Sequence, residues 1–273
     1  MDIVQATILG LVQGVTEFLP ISSSGHLVLF PKIFGWEYQG LIFDVILHLG
    51  TLFAVVVYFR KKIWLLLNSL RRKCWPNVCE DTETHQYRGI FLAIILSVVP
   101  AGVIGLWLGD IIEANTRSVY VVAVSLIFWG VMLGMADYVS RKIKDKKTLG
   151  KINWKNALFI GFAQVVALIP GTSRSGITMT AGLFAKFNKK DAAEFSFLMS
   201  IPIIAAAGFM KLLDLYSTGS GNFGVEIYVV GFLSSMLSGF VAIWILMKVI
   251  ERWSFMPFVV YRIMLGVFIL LIM

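Results

Sequence analysis

QGVTEFLPISSSGHLVLF, residues 13–30, and AQVVALIPGTSRSGITMTAGLFA, residues 163–185, decide the fold. Each is apolar, turns polar around a proline and a serine cluster, and becomes apolar again. Their order matches loosely: Gln13 and Gln164 precede Pro20 and Pro170, and serine-rich turns lead into Gly25 and Gly176. The first carries Glu17 and His26 and the second carries Arg174, so both bring groups that hydrocarbon disfavours into greasy surroundings.

Those surroundings are membrane. Of 273 residues, 58% are hydrophobic and 15% charged, and the mean hydropathy is +0.82, well beyond a soluble domain. Residues 41–59, 89–108, 119–139, 191–210, 225–247 and 257–273 are each long and apolar enough to cross about 30 Å of hydrocarbon. Met1 is followed by Asp2 rather than a basic region, so no cleavable signal peptide is expected.

The net charge of +8 is explained by topology, and nucleic acid is not needed to account for it. Seven Lys/Arg fall in residues 60–88 and seven in 141–155, with Lys186, Lys189 and Lys190 after the second serine stretch and Lys248, Arg252 and Arg262 flanking the last two helices. Residues 1–40 hold only Lys32, 109–118 only Arg117 and 211–224 only Lys211. The rich loops belong in the cytoplasm. With six crossings placed that way, residues 1–40 begin and end outside and residues 155–190 begin and end inside. Neither segment is then a single crossing. The expectation is an all-α polytopic membrane protein: two re-entrant helix hairpins, each followed by three spanning helices, in pseudo-repeat halves of about 1–140 and 155–273 within one domain. The halves form an inverted-topology repeat with both termini on the outer side, and the hairpin tips line a polar cavity near the midplane. Surface loops between short interfacial helices are the competing reading of the serine stretches. Cys74 and Cys79, near His85, read as free thiols in a reducing compartment rather than a zinc site.

At the tips, Gln13 and Glu17 are four apart and share a helix face. Ser23 and His26 are three apart, in reach of each other if a helix starts there. Arg174 between Ser173 and Ser175 offers a planar fork of donors beside hydroxyls, and a helix beginning near Ser175 would add backbone N–H groups. Together they suit an oxyanion, most naturally phosphate, with a carboxylate to hold a divalent cation or manage a proton. A structural Glu17–Arg174 bridge is the plainer alternative. Asp44 and Glu194, near the starts of corresponding helices, are weaker candidates, since acids there often only compensate the helix dipole.

QGVTEFLPISSSGH resembles the (E/Q)xxxE signature region of bacterial undecaprenyl-diphosphate phosphatases, the bacitracin-resistance family, and PGTSRSGIT resembles that family's PGxSRSxxT motif. The likeness extends to FDVILHLGTLFAVVVYF and AAEFSFLMSIP. It implies an enzyme of the bacterial inner membrane that removes the terminal phosphate of a C55 polyprenyl diphosphate, assisted by Mg2+ or Ca2+. The product is the carrier lipid for peptidoglycan synthesis. On this resemblance Glu17, Ser23, His26 and Arg174 are catalytic, with Ser23 attacking phosphorus and His26 as its base, or His26 activating water. Gln13, Ser22, Ser24, Ser173, Ser175 and Thr178 bind substrate, and Glu17 binds the metal. Gln13 leaves one carboxylate fewer for that metal. The partners expected are the lipid substrate and bilayer lipids, with a homodimer admitted. The other class of function is a secondary carrier or flippase for an anionic solute or lipid, which inverted repeats also serve.

Overall fold

The computed structural model describes residues 1–71, 82–116, 118–218 and 223–272, so Cys74, Cys79 and Arg117 lie outside the described residues. Eleven α-helices account for almost all of what is described. Five are long and apolar enough to span a bilayer: α3 (Leu41–Tyr58), α5 (Thr82–Thr116, apolar over Thr82–Gly109), α6 (Val119–Lys142), α9 (Lys189–Thr218, apolar to Lys211) and α10 (Val225–Val249). The protein is a multi-pass membrane protein. The crossing expected at 257–273 forms α11 (Met256–Ile272), which at 17 residues is slightly shorter than the other five.

Each serine stretch is a helix, a turn and a second helix. Ile3–Phe18 (α1) leads through residues 19–22 into Ser23–Phe34 (α2). Trp154–Val165 (α7) leads through a short 3-10 turn and Pro170 into Arg174–Phe184 (α8). α2 has 12 residues and α8 has 11, about 18 and 17 Å at 1.5 Å per residue, too short to cross. α4 (Arg60–Arg71) carries Arg60, Lys61 and Lys62 beside exposed Trp64 and Leu67.

The helices pair in a cross-linked way. α1 lies along α10 and α7 along α5; α3 packs on α10 and on α9, α9 also packs on α5, α8 packs on α6, and α6 on α11. The α1–α10 contact is close because it is lined by small residues: a Cβ on Gly14 would come within 2.0 Å of Ser238 Oγ, and close backbone approach is how membrane helices associate. Phe18, Phe59 and Phe197 meet in the largest core cluster, with Phe18 and Phe197 edge to face at 5.3 Å.

Arg262 corrects the charge reading. Instead of flanking a helix in the cytoplasm it sits inside α11, fully buried. It donates to the Pro20 carbonyl of one turn (3.3 Å) and to the Gly171 and Thr172 carbonyls of the other (3.2 and 2.8 Å). It also reaches Leu126 O and Ser125 O of α6. Only a residue with several donors in a fixed fork can satisfy carbonyls from two turns at once.

Candidate active site

The two turns are built alike. Ser22 and Ser173 both cap the following helix with positive φ (75° and 71°), a conformation rare outside glycine. The Ser22 hydroxyl accepts from Gly25 N–H and the Ser173 hydroxyl from Gly176 N–H, and Ser24 and Ser175 each lie 3.3 Å from the capping hydroxyl. Ser23 and Arg174 are therefore equivalent: each is the first residue of its helix, at the end where dipole and free N–H groups favour an anion. Gly171, with φ +87°, brings its backbone against Val122 O, where a Cβ would lie 2.5 Å away.

Between the turns Glu17 is the hub. Its Oε1 accepts from Arg174 Nη2 at 2.7 Å, and its Oε2 accepts from Ser23 Oγ at 2.7 Å and from Gln13 Nε2 at 3.1 Å. His48 of α3 brings Nε2 to 3.6 Å from the same Oε2, and its Nδ1 is 2.7 Å from the Asp44 carbonyl. Arg174 Nη1 donates to Ser196 O of α9. A single headgroup could touch Ser23 and Arg174 together, because both already share one carboxylate.

A cavity of about 430 Å³ opens over this hub. Its floor is Glu17, Ser22, Ser23, Ser24, Ser173 and Arg174; its walls are apolar, from Leu41 and Val45 of α3 and Ile203, Ile204 and Ala207 of α9, and Asp44 and Lys211 stand at its far end. The lining uses the first half of α3 and the second half of α9. Phe18, Phe59 and Phe197 pack together in the core and do not line this cavity, and Lys62 pairs with Glu194.

Six of the expected site residues thus reach the cavity, and four stand behind it. Gln13 orients Glu17. Ser175 Oγ donates to Leu19 O, tying the second turn to the first, and Thr178 Oγ1 bonds Arg174 O and Ser196 Oγ. His26 is not brought to Ser23: its Nδ1 is 2.7 Å from Ser22 O, its Nε2 is 2.6 Å from Tyr261 Oη, and its ring stacks on Tyr261. The group within reach of the Ser23 proton is Glu17. Of the weaker candidates, Asp44 lines the cavity, while Glu194 pairs with Lys62.

Sequence reasoning missed His48, Ser196, Tyr261 and Arg262. His48 had a usable signal, because it follows Asp44 by four residues on an otherwise apolar helix, which places both on one face.

What Glu17 offers a divalent cation is a single carboxylate beside open space. The Gln13 Oε1 atom is buried without a hydrogen-bond partner among the described residues, Glu17 Oε2 faces His48 Nε2, and the adjoining cavity leaves room for phosphate oxygens and water, the usual remainder of a hard cation's shell. Among the described residues there is no group of three or more His, Cys, Asp or Glu able to hold a metal by themselves.

Comparison with known proteins agrees along the whole length. The family model described as Bacitracin resistance protein BacA matches residues 6–268. "Undecaprenyl-diphosphatase 1" of Pseudoalteromonas translucida (strain TAC 125) is 47% identical over 267 residues, 98% of this chain and 97% of the relative. "Undecaprenyl-diphosphatase" of Hahella chejuensis (strain KCTC 2396) is 47% identical over 266 residues, 97% and 96% of the two chains. "Undecaprenyl-diphosphatase 2" of Stutzerimonas stutzeri (strain A1501) is 43% identical over 274 residues, 100% and 98%. With a model match from residue 6 to residue 268 and relatives this similar end to end, the chain belongs to the bacitracin-resistance protein BacA family.

Proposed function

We infer that this chain is an undecaprenyl-diphosphate phosphatase: it hydrolyses the terminal phosphate of a C55 polyprenyl diphosphate and leaves the monophosphate carrier lipid. The observation that carries the reading is the Ser23–Glu17–Arg174 constellation at the floor of an apolar-walled cavity, in a chain whose near-full-length relatives bear that name. The walls suit an isoprenoid tail and the floor a diphosphate.

In this mechanism Arg174 and the N-termini of α2 and α8 hold the phosphate oxygens. Ser23 Oγ attacks the terminal phosphorus and its proton passes to Glu17 Oε2. The bond between phosphorus and the bridging oxygen breaks, the lipid monophosphate leaves, and water then cleaves the phosphoserine. Glu17 would hold the cation, Mg2+ or Ca2+, which would supply neutralisation of charge developing on the phosphate oxygens. Ser22, Ser24 and Ser173 border the headgroup, and Gln13, Ser175 and Thr178 fix the residues that touch it. His26, held by Ser22 and Tyr261, keeps the first turn in shape. Positioning and charge stabilisation carry most of the acceleration, as phosphoryl transfer generally requires.

The proposed architecture is an inverted repeat with six crossings and two re-entrant hairpins, in halves of about 1–140 and 155–273. Two observations support it: the matched caps at Ser22 and Ser173, and the reciprocal packing in which α1 on α10 parallels α7 on α5 and α3 on α10 parallels α9 on α5. The positive-inside pattern supports an orientation in a bacterial inner membrane with both termini, and the α3 and α9 halves that border the cavity, toward the outer face. The test is phosphate release from long and short prenyl diphosphates by detergent-solubilised protein, with and without chelator. Release that survives Arg174→Ala would overturn the assignment. Release with no second compartment present separates a hydrolase from a carrier.

A further inference from the structure

Resting on that reading and on its phosphoserine step, we propose that His48 is the base for the water that releases phosphate from Ser23, so that attack and release use two different proton acceptors.

The need for a second base follows from the first step. Glu17 Oε2 accepts from Ser23 Oγ at 2.7 Å and takes the serine proton when phosphorus is attacked. When the phosphoserine is cleaved the serine oxygen leaves, and the group that took its proton is the one placed to return it. Glu17 then acts as the acid, so the proton of the attacking water needs another acceptor. Gln13 is an amide and takes none, and both nitrogens of His26 are engaged, by Ser22 O and Tyr261 Oη. Asp44 is bonded by Tyr38 and Gln39 at the far end of the cavity.

His48 meets that need. Its Nδ1 lies 2.7 Å from the Asp44 carbonyl, which can only accept, so Nδ1 carries the ring hydrogen and Nε2 is left with a lone pair. One ring nitrogen fixed on an oxygen acceptor while the other takes a proton is the arrangement of a histidine general base. The residue lines the cavity, and its Nε2 stands 3.6 Å from Glu17 Oε2, beyond a hydrogen bond, so the two groups face one space without being joined. Ser23 Oγ and His48 Nε2 lie 2.7 and 3.6 Å from that same oxygen, hence no more than about 6.3 Å apart. That separation admits a phosphoryl group on Ser23 with a water on the opposite side of phosphorus, as in-line displacement requires. In the step, the water oxygen bonds to phosphorus and the bond from phosphorus to Ser23 Oγ breaks, its electron pair staying with Oγ. Glu17 returns its proton to Oγ, while His48 Nε2 takes one from the water and gives it up to solvent through the open cavity.

The probe is a short prenyl diphosphate radiolabelled in its terminal phosphate, mixed with detergent-solubilised full-length protein and quenched in acid at intervals. In His48→Ala, steady release of phosphate should fall by about a hundredfold. The first turnover should keep its rate, giving a burst of about one lipid monophosphate per protein with the label left on Ser23. Because the covalent form accumulates, kcat and KM should fall together and kcat/KM should hold within about twofold. A residue that only shaped the site would instead slow the burst and lower kcat/KM. The proposal is overturned if His48→Ala slows the burst, if its steady release stays within about twofold of the wild type, or if no label is trapped on the protein. Should His48→Ala fail to fold, His48→Asn carries the same readouts. Phosphate release by the wild type is scored separately, so each of those results removes His48 and leaves the phosphatase reading standing. No release by the wild type would remove that reading and the proposal with it.

Discussion

Replacing Arg262 is expected to unmake the site without touching it. Its guanidinium donates to three turn carbonyls, Pro20, Gly171 and Thr172, at 2.8–3.3 Å, and Ser125 O and Leu126 O are held as well. Arg262→Met keeps most of the side-chain volume but removes every donor. Leaving a buried acceptor unsatisfied costs about 1–3 kcal/mol, so the three turn carbonyls alone predict a loss of about 3–6 kcal/mol after some relaxation. For a chain of this size that is on the order of a 10 °C fall in thermal midpoint. The same change frees the two turns to shift relative to each other. Because a displacement of about 1 Å costs roughly a hundredfold in rate, kcat/KM should fall by about that factor even at temperatures where the variant stays folded. Arg262→Lys should behave nearly as badly, since one ammonium cannot reach carbonyls on both turns. The assay pairs thermal unfolding in detergent with phosphate release from a prenyl diphosphate. An Arg262→Met variant that melts within about 2 °C of wild type and keeps kcat/KM within about twofold would refute the reasoning.

Ser23→Ala should reduce phosphate release by about a thousandfold and abolish any phosphoserine trapped by acid quench; full activity would exclude covalent attack. Glu17→Gln leaves the Arg174 guanidinium without its carboxylate, and breaking a buried ion pair costs about 3–5 kcal/mol, so both thermal midpoint and activity should drop, with unchanged stability as the contrary result. Gly14→Leu pushes α1 off α10, because even a Cβ there would lie 2.0 Å from Ser238 Oγ; loss of folded, detergent-soluble protein on gel filtration is expected, whereas Gly89→Ala, with open space at that position, should express normally. For topology, single cysteines placed in the α1–α2 and α7–α8 hairpin entries, near Asp2 and Asn153, should label from opposite faces of inverted and right-side-out vesicles, and labelling from one face would remove the inverted repeat.

The two tips were legible because hydrocarbon makes polar residues conspicuous: Glu17, Ser23 and Arg174 stood out as expensive, and the structure joins them through one carboxylate. Arg262 was hidden for a related reason. In one dimension an arginine six residues into an apolar helix reads the same whether its head reaches the interface or turns inward to bond carbonyls. His26 illustrates the limit of spacing arguments. Three residues' separation puts it near Ser23, but Ser22 O and Tyr261, the latter 235 positions away in sequence, take both of its nitrogens. The sixth crossing expected from the sequence, α11 at 17 residues, sits at the length where composition alone no longer separates a spanning helix from a shorter apolar one.

Of α3 and α9, only the first half of the one and the second half of the other border the cavity, which puts the reacting headgroup toward one end of the bundle. On the proposed reading, substrate enters and the lipid monophosphate leaves at that same end, so a turnover returns the isoprenoid to the leaflet that supplied it. The free energy of the broken anhydride is then released as heat where the bond is cut, rather than harnessed to move cargo across the bilayer.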